Sequence, residues 1–553
     1  MKKRALAAGV LAACMLVSAA GCGGGASAGG QTAGGSFSGG QTAAAGGNSQ
    51  NAGADSGNGG GSEAQAAAGT VKDTVTVACA AEPDCFFPFH SSLNTNMDEV
   101  PILHNVYESL IKLGPDNSHE PLLATSWEIS DDGCTYTLHL RDDVYFHNGD
   151  KMTAEDVEFT LDNTGHTSAG MAQLANYDDT EIIDENTVAI HLTDPYGPFL
   201  NALCGRFALI VNKSLYEEIG EDAYNEAPVG TGPYKFVSRV SGDRITLEAN
   251  EDYWGGAPAI KNVIFAVLSD TNTQMISLEN GDIDVLINGN IGALSKLQSD
   301  KVTWATQNAS SIDNLKFNCN KGPAADINFR KAVQCGINKE DVNIGVYEGM
   351  ATIGDIQIAP GFSGRPDDGT FKVVEYDPEK AKEYLAASNY NGEEFKIVTI
   401  AGTKDESAAQ IIQGQLIELG INCTVNAVDS SSYSATVEQS GDFGASLRFG
   451  GVSVLDADGL FYQYHSKSLL VNGKYDAGVC SDELDGKLQE ARVEVDPEKR
   501  KLIYAEACDI ITDNAYGACI YYDVNACAYN KALTGVVPRS LTGLYFFNDW
   551  SWQ

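Results

Sequence analysis

Histidines, cysteines and carboxylates are the side chains of this sequence that could ligate a metal, attack a carbonyl or carry a proton. Their spacing supports none of these. The eight histidines are scattered, and no two have the (i, i+4) spacing that puts a pair of ligands on one helix face. HExxH and Walker patterns do not occur, and the one GxSxG match, Gly25 to Gly29, falls in a low-complexity Gly/Ala run rather than at a strand-to-helix turn. His139 falls on the polar side of an alternating run and His147 in a turn, so both read as structural. Gly230 and Gly232 invite a phosphate-loop reading, but Pro233-Tyr234 cannot open the helix that such a loop requires. With 75 acidic residues present, any one carboxylate pair is uninformative. The spacings of the 13 cysteines match no zinc pattern, and no CxxC occurs. Removing Cys14 and Cys22 with the N-terminal segment leaves an odd number. Several of the rest, such as Cys519 in an ACIYY run, sit in apolar contexts where a thiol acts as a small hydrophobe. Buried free thiols are the expectation, with one or two disulfides left open. No catalytic residue, metal site or cofactor is expected. The 23 tyrosines suit binding, because a phenol offers apolar area and a polar tip together.

Composition narrows the class further. A chain of 553 residues has room for two or three domains. A formal net charge of −39 excludes a nucleic-acid partner, which would demand a basic face.

The N-terminus reads as a secretory signal followed by a tether. Lys2-Lys3-Arg4 forms a basic start, Ala5 to Ala20 is apolar, and Ser18-Ala19-Ala20-Gly21 brings small residues before Cys22. The cysteine makes this resemble a bacterial lipoprotein lipobox, with Ala19 where that pattern has Leu or Val. Leu11-Ala12-Ala13-Cys14 is the alternative, but it would strand Met15-Leu16-Val17 on the mature chain. Cys22 is therefore the expected lipid anchor, and residues 1–22 the signal. Residues 23–70, rich in Gly, Ala and Ser, cannot bury enough apolar surface to offset their ordering entropy. As a flexible coil they would reach roughly 40 Å root-mean-square. No later run reaches the roughly 20 apolar residues of a membrane-spanning helix.

The elements after the tether come in a definite order. A short alternating strand at Thr74–Ala78 is followed by apolar residues at helical spacing from Ile102 to Leu113, including the run YESL. Tyr136, Leu138 and Leu140 then alternate with polar residues, His147-Asn148-Gly149-Asp150 supplies a turn, and Thr153 with Asp156 reads as a capping box. Further on come APVGTGPYKF (Ala227 to Phe236), a strand at Arg244–Asn250, Tyr253-Trp254-Gly255-Gly256 and the segment Leu278 to Asp284. Asp377-Pro378 and Asp496-Pro497 start helices. Strands at Phe395–Ile400 and Ile421–Val428 flank a helix at Ala408–Leu419 as a βαβ unit.

In order and letters these landmarks resemble the family 5 extracellular solute-binding proteins, the peptide- and nickel-binding receptors of ABC importers. The resemblance implies an α/β, two-lobed periplasmic-binding-protein-like fold of type II, with an extra subdomain in the first lobe. Lobe 1 would span 71–311, its subdomain about 115–190, lobe 2 312–522, and residues 523–553 would return to lobe 1. Crossings near Ile312 and Asp523 would form the hinge. In peptide binders of the family, a segment like Phe449 to Phe461 lies in lobe 2, and its first Asp pairs with the peptide ammonium. Asp456, Asp458 and Phe461 match later positions of that segment, but Ser453 or Val452 stands where the ammonium-binding Asp belongs. Arg448 and Lys404 are candidates to hold an anionic group, and Glu82, Phe86, Phe87 and Tyr107 to line the lobe 1 edge of the cleft. The implied function is capture of an oligopeptide or peptide-like solute by lobe closure and delivery to permease subunits. The protein would be a monomer, lipid-anchored on the outer face of a bacterial cell membrane. A non-peptide solute, oligosaccharide or metal chelate, is the alternative on the same scaffold. A surface enzyme or adhesin is the remaining one.

Overall fold

The structure is a computed structural model that describes residues 72–90, 97–167, 173–451, 454–467, 478 and 481–553. Cys14, Cys22, the tether, Val452 and Ser453 lie outside the described residues.

Ten strands form the path of the main sheet. In the N-terminal half these are β1 (Thr74–Cys79), β2 (Tyr234–Val240), β3 (Arg244–Ala249), β4 (Asn262–Val267) and β5 (Val285–Leu286). They are followed by β6 (Val302–Phe317), β7 (Phe395–Ile400), β8 (Cys423–Val428), β9 (Ala445–Gly451) and β10 (Gly517–Asn530). The order across the sheet is β8-β7-β9-β6-β10-β5-β1-β4-β3-β2, and Thr352–Ile353 pairs beside β10 as the eleventh strand. Helices used below are α1 (Val100–Val106), α2 (Ala154–Gly165), α3 (Phe199–Ala202), α4 (Lys339–Tyr347), α5 (Lys404–Glu418), α6 (Gly459–Tyr464), α7 (Asp482–Val493) and α8 (Pro497–Asp513).

Two parallel blocks are joined by one long antiparallel pair. β1 runs parallel to β4 and β5 on one side, and β7 runs parallel to β8 and β9 on the other. Between them β6 and β10, of 16 and 14 residues, pair along most of their length. Their register breaks between Asn308 and Ile312, opposite Asp523. A bulge of this kind leaves the ladder locally unpaired and lets the strand bend. A separate four-stranded antiparallel sheet, in the order Ala124–Ile129, Thr135–Leu140, Thr187–Leu192 and Tyr177–Asp184, packs its apolar side on α2. In Thr135–Leu140 burial alternates as the sequence pattern requires, with Tyr136, Leu138 and Leu140 inward. The Thr153–Asp156 capping box opens α2 as expected.

One expectation needs correction. The helical spacing from Ile102 to Leu113 carries a helix only to Val106, and Ile111–Leu113 is a strand. Tyr107 is extended at φ −111° and ψ 164°, fully buried, and donates its hydroxyl to Phe86 O at 3.0 Å. Long-range packing of the phenol thus overrides a pattern that four apolar residues had set.

The chain's end returns to its beginning. Tyr545, Phe547 and Trp550 share a core with Val75, Ile102 and Tyr234, and Phe547 N–H donates to Asn105 Oδ1 at 2.9 Å. The ten described cysteines are all free thiols, eight of them buried.

Candidate functional site

In an open α/β sheet, ligands bind beyond the carboxyl ends of parallel strands, where loops and helix N-termini converge. Here β7, β8 and β9 are such strands. β7 leads to the N-terminus of α5 at Lys404 and Asp405, and β8 leads to a turn capped by Asp429 that carries Tyr433. β9 carries Arg448 at its midpoint, two residues past the Val398–Ser446 pairing and so level with the end of β7. Arg448 pairs with Glu438 at 3.4 Å, lies 5.2 Å from the Tyr433 ring centre, and keeps a side chain 46% exposed.

Behind this edge, at the β6–β10 irregularity, sits a buried group of acids and phenols. Lys404 Nζ donates to Asp523 Oδ2 and, at 2.6 Å, to the Tyr347 hydroxyl. Asp523 also accepts from its neighbour Val524 N–H at 2.8 Å, from the Ser311 hydroxyl at 3.3 Å and from the Tyr347 hydroxyl. Asp313 is fully buried beside them, with the Asp405 carboxyl and the Tyr521 hydroxyl as its polar neighbours. Burial, reinforced by the Asp405 charge, pushes its carboxyl well above the usual range, although Lys404 pulls the other way.

The other sequence candidates fall into place differently. Lys404 is engaged by Asp523 and Tyr347, so its charge is already compensated within the protein. Glu82 is paired with Arg239 at 2.8 Å and accepts from Gly242 N–H at 2.9 Å; the Arg239 contact holds its carboxyl below the usual range. Phe86, Phe87 and Tyr107 do not line a cleft. They are buried in an aromatic core with Phe236, Tyr216 and Tyr224, because three large rings gain more from packing than from solvent contact.

Asp456, Asp458 and Phe461 are also buried and serve the protein itself. Arg500 holds Asp456 with two bonds, 2.6 Å to Oδ1 and 3.0 Å to Oδ2, a bidentate geometry that offsets the cost of burying both charges. Asp458 accepts from the Tyr196 hydroxyl at 3.2 Å, and burial lifts it to about 7 despite Arg492 nearby. Phe461 stacks beneath Arg492, 4.0 Å from the guanidinium carbon. Ser453 cannot be placed, being outside the described residues.

Sequence reasoning missed Asp313, Asp405, Tyr347 and Tyr521. An acid inside the apolar alternation of Ile312 to Phe317 was the available signal for Asp313. Nothing local marks the others, since their partners come from separate elements.

The landmarks of the N-terminal half turn out to bind one another. The His147 imidazole donates from Nε2 to Gly232 O at 2.9 Å and accepts at Nδ1 from Gly230 N–H at 3.3 Å, so the turn and the Gly-x-Gly loop are one unit. Burial pushes this histidine down to about 4, which keeps it neutral as both bonds require.

Residues 119–469 match the model of the bacterial extracellular solute-binding proteins, family 5. The chain belongs to that family. It is 26% identical over 520 residues to the dipeptide-binding protein of Escherichia coli, covering 88% of this chain and 96% of that one. It is 31% identical over 365 residues to the nickel-binding periplasmic protein of the same organism, covering 61% of this chain and 68% of that one. Among solved structures, Campylobacter jejuni NikZ in complex with Ni(L-His) superposes with a TM-score of 0.71 at 25% identity, over 87% of this chain and 99% of that one. As a family 5 receptor, the protein has the two-lobed type II fold. None of its described helices is long and apolar enough to cross a membrane.

Proposed function

We propose that this receptor captures a peptide or peptide-like solute between two lobes and hands it to the permease subunits of an ABC importer. The first lobe comprises 71–311 with the returning 523–553, and the second 312–522. The β6–β10 irregularity at Asn308–Ile312 is the hinge, because a ladder interrupted there bends at least cost. The observation that carries the reading is the Arg448–Glu438 pair at the carboxyl edge of β7–β9. It offers both signs of charge, on a half-exposed surface, to a solute that bears both. Closure signals only if the solute binds the closed form better than the open one.

A metal chelate is the second reading. It is favoured by Ser453 or Val452 standing where the family's peptide binders carry an ammonium-binding Asp, and by the nickel-binding relative. Native mass spectrometry of freshly purified protein, followed by thermal shift with peptide pools, sugars and nickel–histidine, separates the two. Stabilisation by peptides alone supports the first reading; stabilisation by the chelate alone replaces it. No stabilisation by any small solute removes both. In the cell, the receptor is held to the membrane by a lipid on Cys22. Cys22→Ser should release it to the medium while Cys14→Ser leaves it bound, and the reverse pattern would move the anchor.

A further inference from the structure

The Asp456–Phe461 segment aligns with a family ligand segment, yet its acids are spent on contacts inside the protein. Those contacts reach a distant part of the chain. After the Thr187–Leu192 strand the backbone turns a corner at Tyr196-Gly197-Pro198 into α3. From this corner the Tyr196 hydroxyl donates to Asp458 Oδ2 at 3.2 Å, and the Asn201 side-chain amide donates to Asp456 Oδ2 at 3.0 Å. Gly197 N–H donates to Arg492 O at 2.9 Å. The two backbones touch: a Cβ on Gly197 would lie 2.4 Å from Glu494 O and 2.7 Å from Arg500 Nε.

The acceptors are organised before the donors arrive. Asp456 is fixed by Arg500 from α8 and accepts from Asp458 N–H at 2.8 Å, all within residues 456–500. Among the described residues, Asp458 Oδ2 accepts from the Tyr196 hydroxyl and faces Arg492 at 3.9 Å, while Oδ1 has no hydrogen-bond partner. Tyr196 and Asn201 thus add donors to a site that would persist without them.

We propose that the Tyr196–Asn201 corner and the Asp456–Asp458 loop form a latch that holds the two lobes shut in the unliganded receptor. The proposal rests on the lobe boundaries given above, which put 196–201 in the first lobe and 456–500 in the second. With the latch made, solute entry requires the corner to lift off the loop. Asp456 and Asp458 then control how often the cleft opens, and they do so without touching solute.

Small-angle scattering on the full chain, stripped of co-purified solute by unfolding and refolding, tests this. Tyr196→Phe combined with Asn201→Ala removes both side-chain donors that this corner gives to the loop and leaves the Arg500–Asp456 pair intact. Each lost bond to a charged acceptor should raise the open population about tenfold. The double variant should therefore scatter as a more extended particle than unliganded wild type. Identical scattering from the two overturns the latch. So does an unliganded wild type that is already extended and contracts when a tryptic peptide pool is added, an outcome that leaves the receptor reading standing. Gly197→Val is the second arm, a wedge between the touching backbones. A folded but expanded wedge variant supports the latch. A wedge that lowers the unfolding temperature without expanding the folded particle places corner and loop in one rigid body, and both the latch and the lobe boundaries fall.

Discussion

The Tyr253 hydroxyl donates to Glu108 Oε1 over 2.6 Å, and the neighbouring Trp254 indole donates to Oε2 of the same carboxylate at 3.1 Å. This joins the YESL run to the YWGG run across 145 residues of sequence. Glu108 is buried, and burial lifts it to about 7 even though Tyr253 and Trp254 bond its charged form. Both runs serve as family landmarks because each supplies half of one buried hydrogen-bond site. Tyr253→Phe should cost about 1–2 kcal/mol of stability, and Glu108→Ala about 2–4 kcal/mol because it also strands two donors. Urea unfolding decides; a loss below about 0.5 kcal/mol for both would mean that water replaces the acid at no cost.

Glu99 gives a pH prediction. It is buried, and burial together with the neighbouring Asp84 lifts it to about 8. The folded state therefore binds this proton more tightly than the unfolded chain. Its stabilising contribution is complete below the ordinary glutamate range near 4.5 and is lost as pH rises through about 8. Glu99→Gln cannot ionise, so its stability relative to wild type should climb between pH 5 and 8 by on the order of 3 kcal/mol. Parallel pH profiles for the two proteins would show that Glu99 titrates normally.

Gly230 separates conformational from steric need. A Cβ there would lie 2.1 Å from Val106 O, whereas Gly149, at φ +94°, faces open space. Gly230→Ala should cost about 3 kcal/mol or more through a backbone clash, and Gly149→Ala about 1 kcal/mol through strain alone. Equal losses in urea unfolding would contradict the close approach of Gly230 to the Val106 carbonyl.

Lys404 and Arg448 should divide stability from binding. Lys404→Ala leaves Asp523 without its cation in a buried, acid-rich surrounding, so a loss of about 2 kcal/mol is expected. Arg448→Ala breaks only a half-exposed pair and should leave stability within about 0.5 kcal/mol, while weakening the co-purified solute at least tenfold by calorimetry. Unchanged affinity in the Arg448 variant would remove the carboxyl edge of β7–β9 from the binding site.

Local sequence by itself settled the elements whose signals lie within a few residues. The alternation from Tyr136 to Leu140, the Thr153–Asp156 capping box and the Asp-Pro starts of Pro378–Ala387 and α8 all form where their side chains point, because caps and pleats are short-range chemistry. The order of the landmarks also carried the family. Tertiary structure decided everything that depends on a partner far along the chain. It stopped α1 at Val106 by burying Tyr107, placed Phe86 and Phe87 in a core, and tied Lys404 to Asp523 across 119 residues. It also turned Asp456 and Asp458 from apparent solute ligands into acceptors for Arg500, Asn201 and Tyr196. A carboxylate reads the same in sequence whether it faces solvent, solute or an arginine. Only burial and the donors brought to it by the fold choose among the three.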